Sequence, residues 1–317
     1  MNGVATLESV ASFLPERSVR IEDLGEHLGL RRAELGVFRK FYGLDRLRFD
    51  PDIGLVDLVR PAAARALAAL PAGRRVDYVI YAHTTQTLAP PDVDIAQVIR
   101  TELGLADAEA FGLSQQACAS SLGAIDVVAE LLRSAGTDGG YALVVTGERA
   151  FAPVVQLVPN TAIMADAAGA CLVTIDGHGD AVCSFVTRTL GEYAEWATLA
   201  SEQRLGFADR YAPCLAGVIL AAVAAAGLGF DDIDKVVPHN VNMLAWRQTI
   251  KELDSVPAKF FLDNIPRLSH SYTSDVFVNY TTMRDAGLLV DGGRYVLAAV
   301  GLGATFGAMV ITHRAKR

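Results

Sequence analysis

The sequence predicts an α/β fold built from two similar halves. Runs rich in β-branched and aromatic residues alternate with helical stretches, a pattern that favours mainly parallel strands covered by helices. Of the 317 residues, 51% are hydrophobic and 20% are charged, and the mean hydropathy is +0.29, so we expect a well-filled interior. The predicted strands are residues 76–82, 141–146, 170–175, 182–186, 235–238, 295–300 and 309–312.

A weak internal repeat is the second observation behind this prediction. Residues 76–82 resemble residues 233–239, and residues 138–147 resemble residues 291–301. Asp-Gly-Gly before a strand is ordinary turn chemistry, so chance similarity is the alternative to gene duplication. The predicted halves are residues 1–176 and 177–317.

Each half carries a predicted helix between its repeated segments, at residues 119–135 and at about 275–286. Cys118 lies at the start of the first helix, and His270 and Asp275 lie at the start of the second. Duplication would relate the halves by a pseudo-twofold axis. We therefore expect the two helix N-termini, and with them the thiol and the imidazole, to face each other.

Charge and composition exclude several functions. The net charge of −8 and the pI near 5.3 argue against binding to nucleic acid or to an anionic membrane, which leaves small-molecule chemistry. The uncharged segment 214–230 is short and rich in Ala and Gly, so it suits a buried helix rather than a membrane span. The N-terminus lacks an export signal, so we predict a cytoplasmic protein. No CxxC pair occurs, so neither disulfides nor zinc are expected of Cys118, Cys171, Cys183 and Cys214.

Cys118 is the candidate nucleophile. It lies in Ser114-Gln-Gln-Ala-Cys-Ala-Ser-Ser-Leu-Gly123, where small residues lead into an apolar helical run. The positive end of a helix dipole and its unpaired N–H groups stabilise a thiolate, which would bring the cysteine pKa below about 8.5. The alternative is a small buried apolar residue, because free cysteines are often buried.

Two histidines are candidate acid–base residues. His239 ends a predicted strand, a position where α/β proteins often place functional side chains. His270 precedes Asp275 by five residues, so the carboxylate can reach Nδ1, fix the tautomer and stabilise an imidazolium. The alternatives are a buried structural histidine at position 239 and a simple helix-start acid at position 275.

A glycine-rich segment, Gly301-Leu-Gly-Ala-Thr-Phe-Gly307, lies between two predicted strands. Glycines allow close backbone approach, so N–H groups exposed here can bind an oxyanion. The segment does not match a dinucleotide-binding fingerprint, because it precedes a strand and no acidic residue follows about 20 residues later.

Together these motifs resemble the thiolase superfamily, and within it β-ketoacyl-acyl carrier protein synthase III and its acyltransferase relatives. The resemblance covers the whole chain and rests on Gln116-Ala-Cys-Ala119, Ala165-Asp-Ala-Ala-Gly-Ala170, His239-Asn-Val-Asn242 and the glycine segment. It implies an α/β, thiolase-like fold of duplicated βαβαβαββ halves in five αβαβα layers. It also implies that Cys118 carries an acyl thioester and that the amides of Cys118 and Gly303 form the oxyanion hole.

One departure from this family bears on the reaction. Condensing members carry a Gly-Asn-Thr-Ser segment, whose asparagine acts with the histidine to stabilise the enolate formed on decarboxylation. Here Tyr272 stands in place of that asparagine. The pair of His270 and Asp275 resembles instead the sites of relatives that form esters or amides, or that use unusual starter units. Tyr272, Asn242 and Thr305 are further predicted to line the site.

The sequence therefore predicts an acyltransferase that moves an acyl group from a CoA or carrier-protein thioester, through Cys118, to a hydroxyl or amine acceptor in natural-product biosynthesis. His270 would act as the base and Asp275 would orient it. His239 would help to activate the thiol or bind the thioester carbonyl. No permanently bound cofactor and no metal are expected. The alternatives are a decarboxylating synthase with an unusual starter unit and an inactive carrier-binding homologue.

The resemblance also bears on partners. The Trp and Arg that hold the adenine end of coenzyme A in condensing members are absent near residues 37–44, so an acyl carrier protein is a candidate partner. Basic residues nearby would meet an acidic carrier or a phosphate, or else form a solvated helix face. We also expect a homodimer sealed through sheet edges, with strand 141–147 involved. The basic residues are Arg31, Arg32, Arg39, Lys40, Arg46 and Arg48.

Overall fold

A computed structural model describes residues 3–86, 89–90, 92–136, 140–195 and 198–315. The strands are β1 (Ala5–Phe13), β2 (Ser18–Arg20), β3 (Arg46–Arg48), β4 (Val76–Ala82), β5 (Glu109–Leu113), β6 (Tyr141–Glu148), β7 (Leu157–Val158), β8 (Ala162–Ile163), β9 (Ala167–Ile175), β10 (Asp180–Thr189), β11 (Lys235–Pro238), β12 (Arg294–Gly301) and β13 (Thr305–Thr312). The α-helices are α1 (Arg32–Lys40), α2 (Leu55–Leu67), α3 (Ile95–Glu102), α4 (Ser120–Ala135), α5 (Pro153–Gln156), α6 (Ser201–Ala225), α7 (Met243–Glu252), α8 (Ile265–Leu268) and α9 (Asp275–Asp285).

Nine strands form one sheet in the order β11-β12-β13-β10-β1-β9-β6-β4-β5. In one part, β4 pairs in parallel with β6, β6 pairs antiparallel with β9, and β9 pairs antiparallel with β1. Strands β11, β12, β13 and β10 repeat these pairings in the same senses. The two parts join where β1 meets β10 through two residue pairs. The segments that resemble each other in sequence thus hold equivalent places in the sheet, although Asp138 and Gly139 lie outside the described residues.

The chain passes between the two parts in the turn from β9 to β10. A domain boundary after residue 176 falls within this turn and stays a prediction. The seven predicted strands are all present, and several begin earlier or end later than predicted. Two sheet strands were not predicted, the central β1 and the edge strand β5.

The expectation of mainly parallel pairing is wrong, because the sheet is mixed. Only the β4–β5, β4–β6 and β11–β12 pairs are parallel, whereas five pairs are antiparallel. The reason lies in the connections. Strands joined by a short turn, such as β12 with β13, reverse direction, whereas a parallel pair needs a long crossover.

Helices cover both faces of the sheet and also fill the space between its two parts. Helices α2 and α3 pack on the outer face of the first part, and α6 and α7 pack on the outer face of the second. Helices α4 and α9 share the central cluster. In β6, Ala142 and Val144 face this centre, whereas Leu143 and Val145 face α2. Because alternate side chains are buried on opposite faces, such strands are hydrophobic throughout.

Helix α6 is long and apolar enough to cross a membrane, judged by length and composition alone. Half of its most apolar stretch is buried in the protein. Leu215, Ile219 and Val223 pack in the cluster that covers β12 and β13. This is the placement of a core helix, which the sequence predicts for residues 214–230.

Strand β6, which we expected at a dimer edge, lies inside the sheet between β4 and β9. Both of its hydrogen-bonding edges are therefore used. Strand β5 stands at one end of the sheet and pairs only with β4 among the described strands. A homodimer sealed through a sheet edge stays a prediction. At this end of the sheet the edge strand is β5.

Candidate active site

Cys118 lies in a short 3-10 turn, Ala117–Ala119, that leads directly into α4. Ala117 has a φ of 46°, in a region that few residues other than glycine adopt, so the chain turns sharply before the helix. The sulfur is buried, and the hydroxyl of Thr84 donates to it at 3.5 Å. The thiol thus stands at the N-terminal end of a 16-residue helix, as the sequence predicts.

His270 is the imidazole beside this thiol. Its Nδ1 lies 2.5 Å from Oδ2 of Asp275, and the ring also hydrogen-bonds to the sulfur of Cys118. Burial disfavours the imidazolium, but the negative charges of Asp275 and of a Cys118 thiolate outweigh burial and raise the pKa of His270 to about 10. Since Asp275 occupies Nδ1, Nε2 is the nitrogen that faces the sulfur. Thiol, imidazole and carboxylate therefore form one hydrogen-bonded chain.

Asp275 begins α9 and is fully buried. Its oxygens accept the N–H and the hydroxyl of Ser271, at 2.7 and 2.6 Å, and the N–H of Asn240 at 2.6 Å. Burial alone would raise the pKa of Asp275, but the charge of His270 and these hydrogen bonds hold that pKa below its usual value. Asn279, one turn along α9, donates to Oδ1 of Asn240 at 2.8 Å and so fixes the residue that supports the carboxylate.

His239 follows β11, and its ring centroid lies 5.6 Å from that of His270. Its Nε2 is 3.1 Å from the hydroxyl of Tyr211 on α6. Burial and the nearby charge of His270 lower the pKa of His239 to about 3, so the ring is neutral at physiological pH. Burial and the charge of Cys118 raise the pKa of Tyr211, so its hydroxyl stays protonated and can donate. The structure thus places His270 in hydrogen-bonding contact with the thiol and His239 in contact with Tyr211.

The three other predicted lining residues have different surroundings. Tyr272 is buried with a φ of 52°, and its hydroxyl donates to the Val155 carbonyl at 2.8 Å. The hydroxyls of Thr305 and Thr189 hydrogen-bond to each other at 2.9 Å. Asn242 is the N-cap of α7, where its Oδ1 accepts an N–H of the first turn at 2.8 Å. Burial, followed by nearby negative charges that include Cys118, raises the pKa of Tyr272. Tyr272 therefore lies near the nucleophile, whereas the side chain of Asn242 caps α7.

The glycine segment packs against the residues that precede the nucleophile. A Cβ on Gly301 would lie 1.9 Å from the Gln116 carbonyl oxygen, so only glycine permits this contact. A Cβ on Gly123 would lie 2.0 Å from the Gln116 side-chain oxygen. Gln116 is therefore held between two glycines, which fixes the turn that carries Cys118. Gly303 has a φ of 112° and lies between β12 and β13, and the participation of its amide in an oxyanion hole stays a prediction.

Sequence comparisons find similarity to proteins described as synthase III. Residues 223–313 match the family described as 3-oxoacyl-[acyl-carrier-protein] synthase III C terminal. The chain is 23% identical to the β-ketoacyl-[acyl-carrier-protein] synthase III of Clostridium acetobutylicum, over 98% of this chain and 99% of that protein.

Solved structures have the same fold. The acyltransferase ChlB3 superposes with a TM-score of 0.85 at 18% identity, over 98% of each chain. The synthase FabH from Pseudomonas aeruginosa PAO1 superposes with a TM-score of 0.82 at 23% identity, over 99% of each chain. The chain thus has the fold of the ketoacyl synthase III proteins. The predicted thiolase-like fold is thereby confirmed.

The protein has no group of three or more His, Cys, Asp or Glu side chains suited to a metal ion within the part that the structure describes. Four of the six basic residues predicted to meet a carrier or a phosphate contact neighbouring groups, and these are Arg31, Arg39, Arg46 and Arg48. Their binding of an anionic donor stays a prediction.

Three residues that contact the predicted site residues were missed by the sequence interpretation: Thr84, Tyr211 and Asn240. Asn240 directly follows the predicted His239, so the same motif contains its signal. Thr84 comes just after strand β4, at the end of a strand where polar residues often mark a site. Tyr211 gives no such signal, because its position depends on how α6 packs across the sheet.

Proposed function

We propose that this protein is a thioester-dependent acyltransferase that holds the acyl group on Cys118 and passes it to a hydroxyl or amine. The observation that carries the proposal is the buried chain of hydrogen bonds from Cys118 through His270 to Asp275. Relatives named as a synthase and as an acyltransferase support a reaction that begins with an acyl thioester.

Loading begins from a thiolate at Cys118 paired with the His270 imidazolium. The sulfur attacks the thioester carbonyl, and the amides of Cys118 and Gly303 would stabilise the oxyanion. As the tetrahedral intermediate collapses, the C–S bond of the donor breaks and its thiolate takes the proton from His270. The products of this step are an acyl-Cys118 thioester, a free donor thiol and a neutral imidazole.

Acylation prepares the second step. It removes the thiolate charge that helps to raise the pKa of His270, so the ring becomes a base. The acceptor O–H or N–H gives its proton to Nε2 while its oxygen or nitrogen attacks the acyl carbonyl. Asp275 stabilises the imidazolium that results, and the Cys118 thiolate leaves to pair with it again.

A decarboxylating condensation is the second candidate. Tyr272 offers no side-chain amide, and its hydroxyl is used by the Val155 carbonyl. His239 shares its Nε2 with Tyr211. Neither arrangement favours a donor pair aimed at a developing enolate, so we prefer transfer. By its resemblance to ester- and amide-forming relatives, we assign this transfer to natural-product biosynthesis.

The test follows acyl-Cys118 and its fate. Protein is incubated with a series of acyl-CoA thioesters, and separately with the same acyl groups on a carrier protein, and the Cys118 peptide is weighed by mass spectrometry. The adduct should form, should be lost in Cys118→Ala, and should persist in Cys183→Ala, which removes an exposed thiol. Hydroxyl and amine acceptors should then discharge the adduct.

Two results would overturn the proposal. Absence of an adduct with every donor would favour an inactive carrier-binding homologue. Release of carbon dioxide from malonyl thioester, with a β-ketoacyl product, would favour the condensing enzyme. A difference between the CoA and carrier-protein arms identifies the donor.

A further inference from the structure

Glu148 is a buried carboxylate that the proposed reaction does not use. It ends β6 and is 0% exposed. One of its oxygens accepts the N–H of Thr84 and the other accepts the N–H of Thr85, each at 2.7 Å. Burial raises the pKa of Glu148, and the two amide hydrogen bonds oppose this. Two successive backbone amides are thus pinned by one side chain.

The pinned loop contacts the nucleophile. Thr84 lies two residues beyond the end of β4, and its hydroxyl donates to the Cys118 sulfur at 3.5 Å. A donor aimed at sulfur stabilises a thiolate relative to a thiol, but only while the hydroxyl is held in place. The bonds from Glu148 fix the backbone of Thr84 and so supply that restraint.

Strand β6 also holds the base on the other side of the site. The hydroxyl of Thr146 hydrogen-bonds to that of Ser274 at 2.9 Å, immediately before Asp275. Thr146 and Glu148 are two residues apart in the strand, so they lie on the same face. One rigid strand end therefore sets the spacing between the loop against Cys118 and the loop that carries His270.

We propose that Glu148 is a positioning residue that sets the reactivity of Cys118 through the hydroxyl of Thr84. The inference deepens the proposed function, since it concerns the same nucleophile. It does not need an acyl donor for its test, because any small electrophile reports on the thiolate.

The test measures alkylation of Cys118 by iodoacetamide across pH. The thiolate attacks the methylene carbon, a C–S bond forms and iodide leaves. Charge interactions link Cys118 to His270, Tyr211 and Tyr272, and the variants below replace none of these residues. Glu148→Gln does remove a negative charge that interacts with Tyr272 and His83, whereas Thr84→Val changes no charge. A shift of the pH profile that both variants share therefore reports on the Thr84 contact.

In Glu148→Gln, an NH₂ group replaces one of the two carboxylate oxygens and faces a backbone N–H of Thr84 or Thr85, so that hydrogen bond is lost. Thr84→Val removes the hydroxyl and keeps nearly the same side-chain shape. Each should slow alkylation near pH 7 about 10-fold and move the profile to higher pH, as expected for loss of a hydrogen bond to a charged group. The double variant should lose little more than either single variant, since both act on one contact. Thr84→Ser should stay within about twofold of the unmodified protein, because it keeps the hydroxyl.

Asp166→Asn is the matched control. Asp166 is also buried and accepts two backbone N–H groups, those of Asp50 and Ala150, at 2.8 and 2.7 Å, but it makes no contact with sulfur. It should change the unfolding midpoint and leave the alkylation profile in place. If Glu148→Gln does not fold, Glu148→Asp is the substitute. Its shorter side chain withdraws the carboxylate oxygens from the N–H groups of Thr84 and Thr85 while keeping the charge, and it should give the same shift of the alkylation profile.

A folded Glu148 variant with the original pH profile would overturn the inference. So would equal shifts in Asp166→Asn, which would point to general loosening of the fold. The outcome is separate from that of the acylation test. If no acyl donor loads Cys118 but the alkylation profile shifts as described, the proposed function fails and the positioning role stands.

Discussion

At the scale of single residues, the balance of charge around one buried ring governs the site. His270 is buried, which alone would keep it neutral, yet its pKa is raised to about 10 because Asp275 and the Cys118 thiolate are both negative. The ring centroid of His239 lies 5.6 Å from that of His270, and His239 is held neutral with a pKa of about 3. Two neighbouring histidines thus take opposite charge states because Asp275 is hydrogen-bonded to His270 and not to His239.

Replacing Asp275 tests the carboxylate. Asp275→Asn removes the stronger of the two charge interactions that stabilise the imidazolium, and it disturbs the ring tautomer. Single-turnover transfer from acyl-Cys118 should slow by about 10³-fold or more. Asp180→Asn is the control, since Asp180 also holds a buried histidine, His313, at 2.9 Å, but takes no part in the hydrogen-bonded chain of Cys118, His270 and Asp275. Equal transfer rates in the two variants would contradict the assigned role of Asp275.

Blocking the thiol tests the second charge. Alkylation of Cys118 removes a negative charge next to the ring, which destabilises the imidazolium relative to the neutral form, so the pKa of His270 should fall below about 10. An NMR titration of the ring protons, before and after alkylation, measures this. An unchanged titration would mean that Cys118 does not interact with His270. The His239 signal should show no titration above about pH 4 in either sample.

At the scale of elements, the site depends on close packing between the β12–β13 turn and the residues before α4. The contact between Gly301 and the Gln116 carbonyl leaves no room for a side chain. Gly217 has no such role. Gly217 is an exposed glycine inside α6, and nothing lies within 4 Å of a Cβ built on it.

These two glycines give a paired prediction. Gly301→Ala should lower the denaturant midpoint and slow acyl loading at least 10-fold, because a 1.9 Å overlap must move the turn that carries Cys118. Gly217→Ala should raise the free energy of unfolding by about 0.5–1 kcal/mol, since alanine favours the helix, and should leave loading unchanged. Normal loading in folded Gly301→Ala would show that this contact does not position the nucleophile.

At the scale of the whole molecule, the nine-stranded sheet ends in a short strand, β5, that pairs on one side only among the described strands. An unpaired strand edge is a natural surface for a second copy of the chain. We expect a homodimer at micromolar concentration, measured by light scattering after size exclusion. A monomer across that range would contradict the prediction.

Sequence reasoning reached a large part of the fold because hydrophobic patterns are local. Strands β4 and β11 were predicted with their correct bounds, since each is an apolar run with a single charged residue, Asp77 in β4 and Lys235 in β11. Strand β1 was missed, because Thr6, Glu8 and Ser9 interrupt its apolar residues and its central place depends on β9 and β10. The parallel sense was wrong for most pairs, because direction depends on connection length rather than on the composition of a strand.

For the site, the sequence by itself determined which residue types stand at helix starts and strand ends: Cys118 before α4, His239 after β11, and His270 with Asp275 before α9. Only the tertiary structure decided their pairing. It placed His270 at the thiol, gave His239 to Tyr211, and brought Glu148 behind Thr84. The physical reason is that hydrogen bonds and pKa shifts depend on distances of a few ångströms between segments far apart in the chain, which local patterns do not contain.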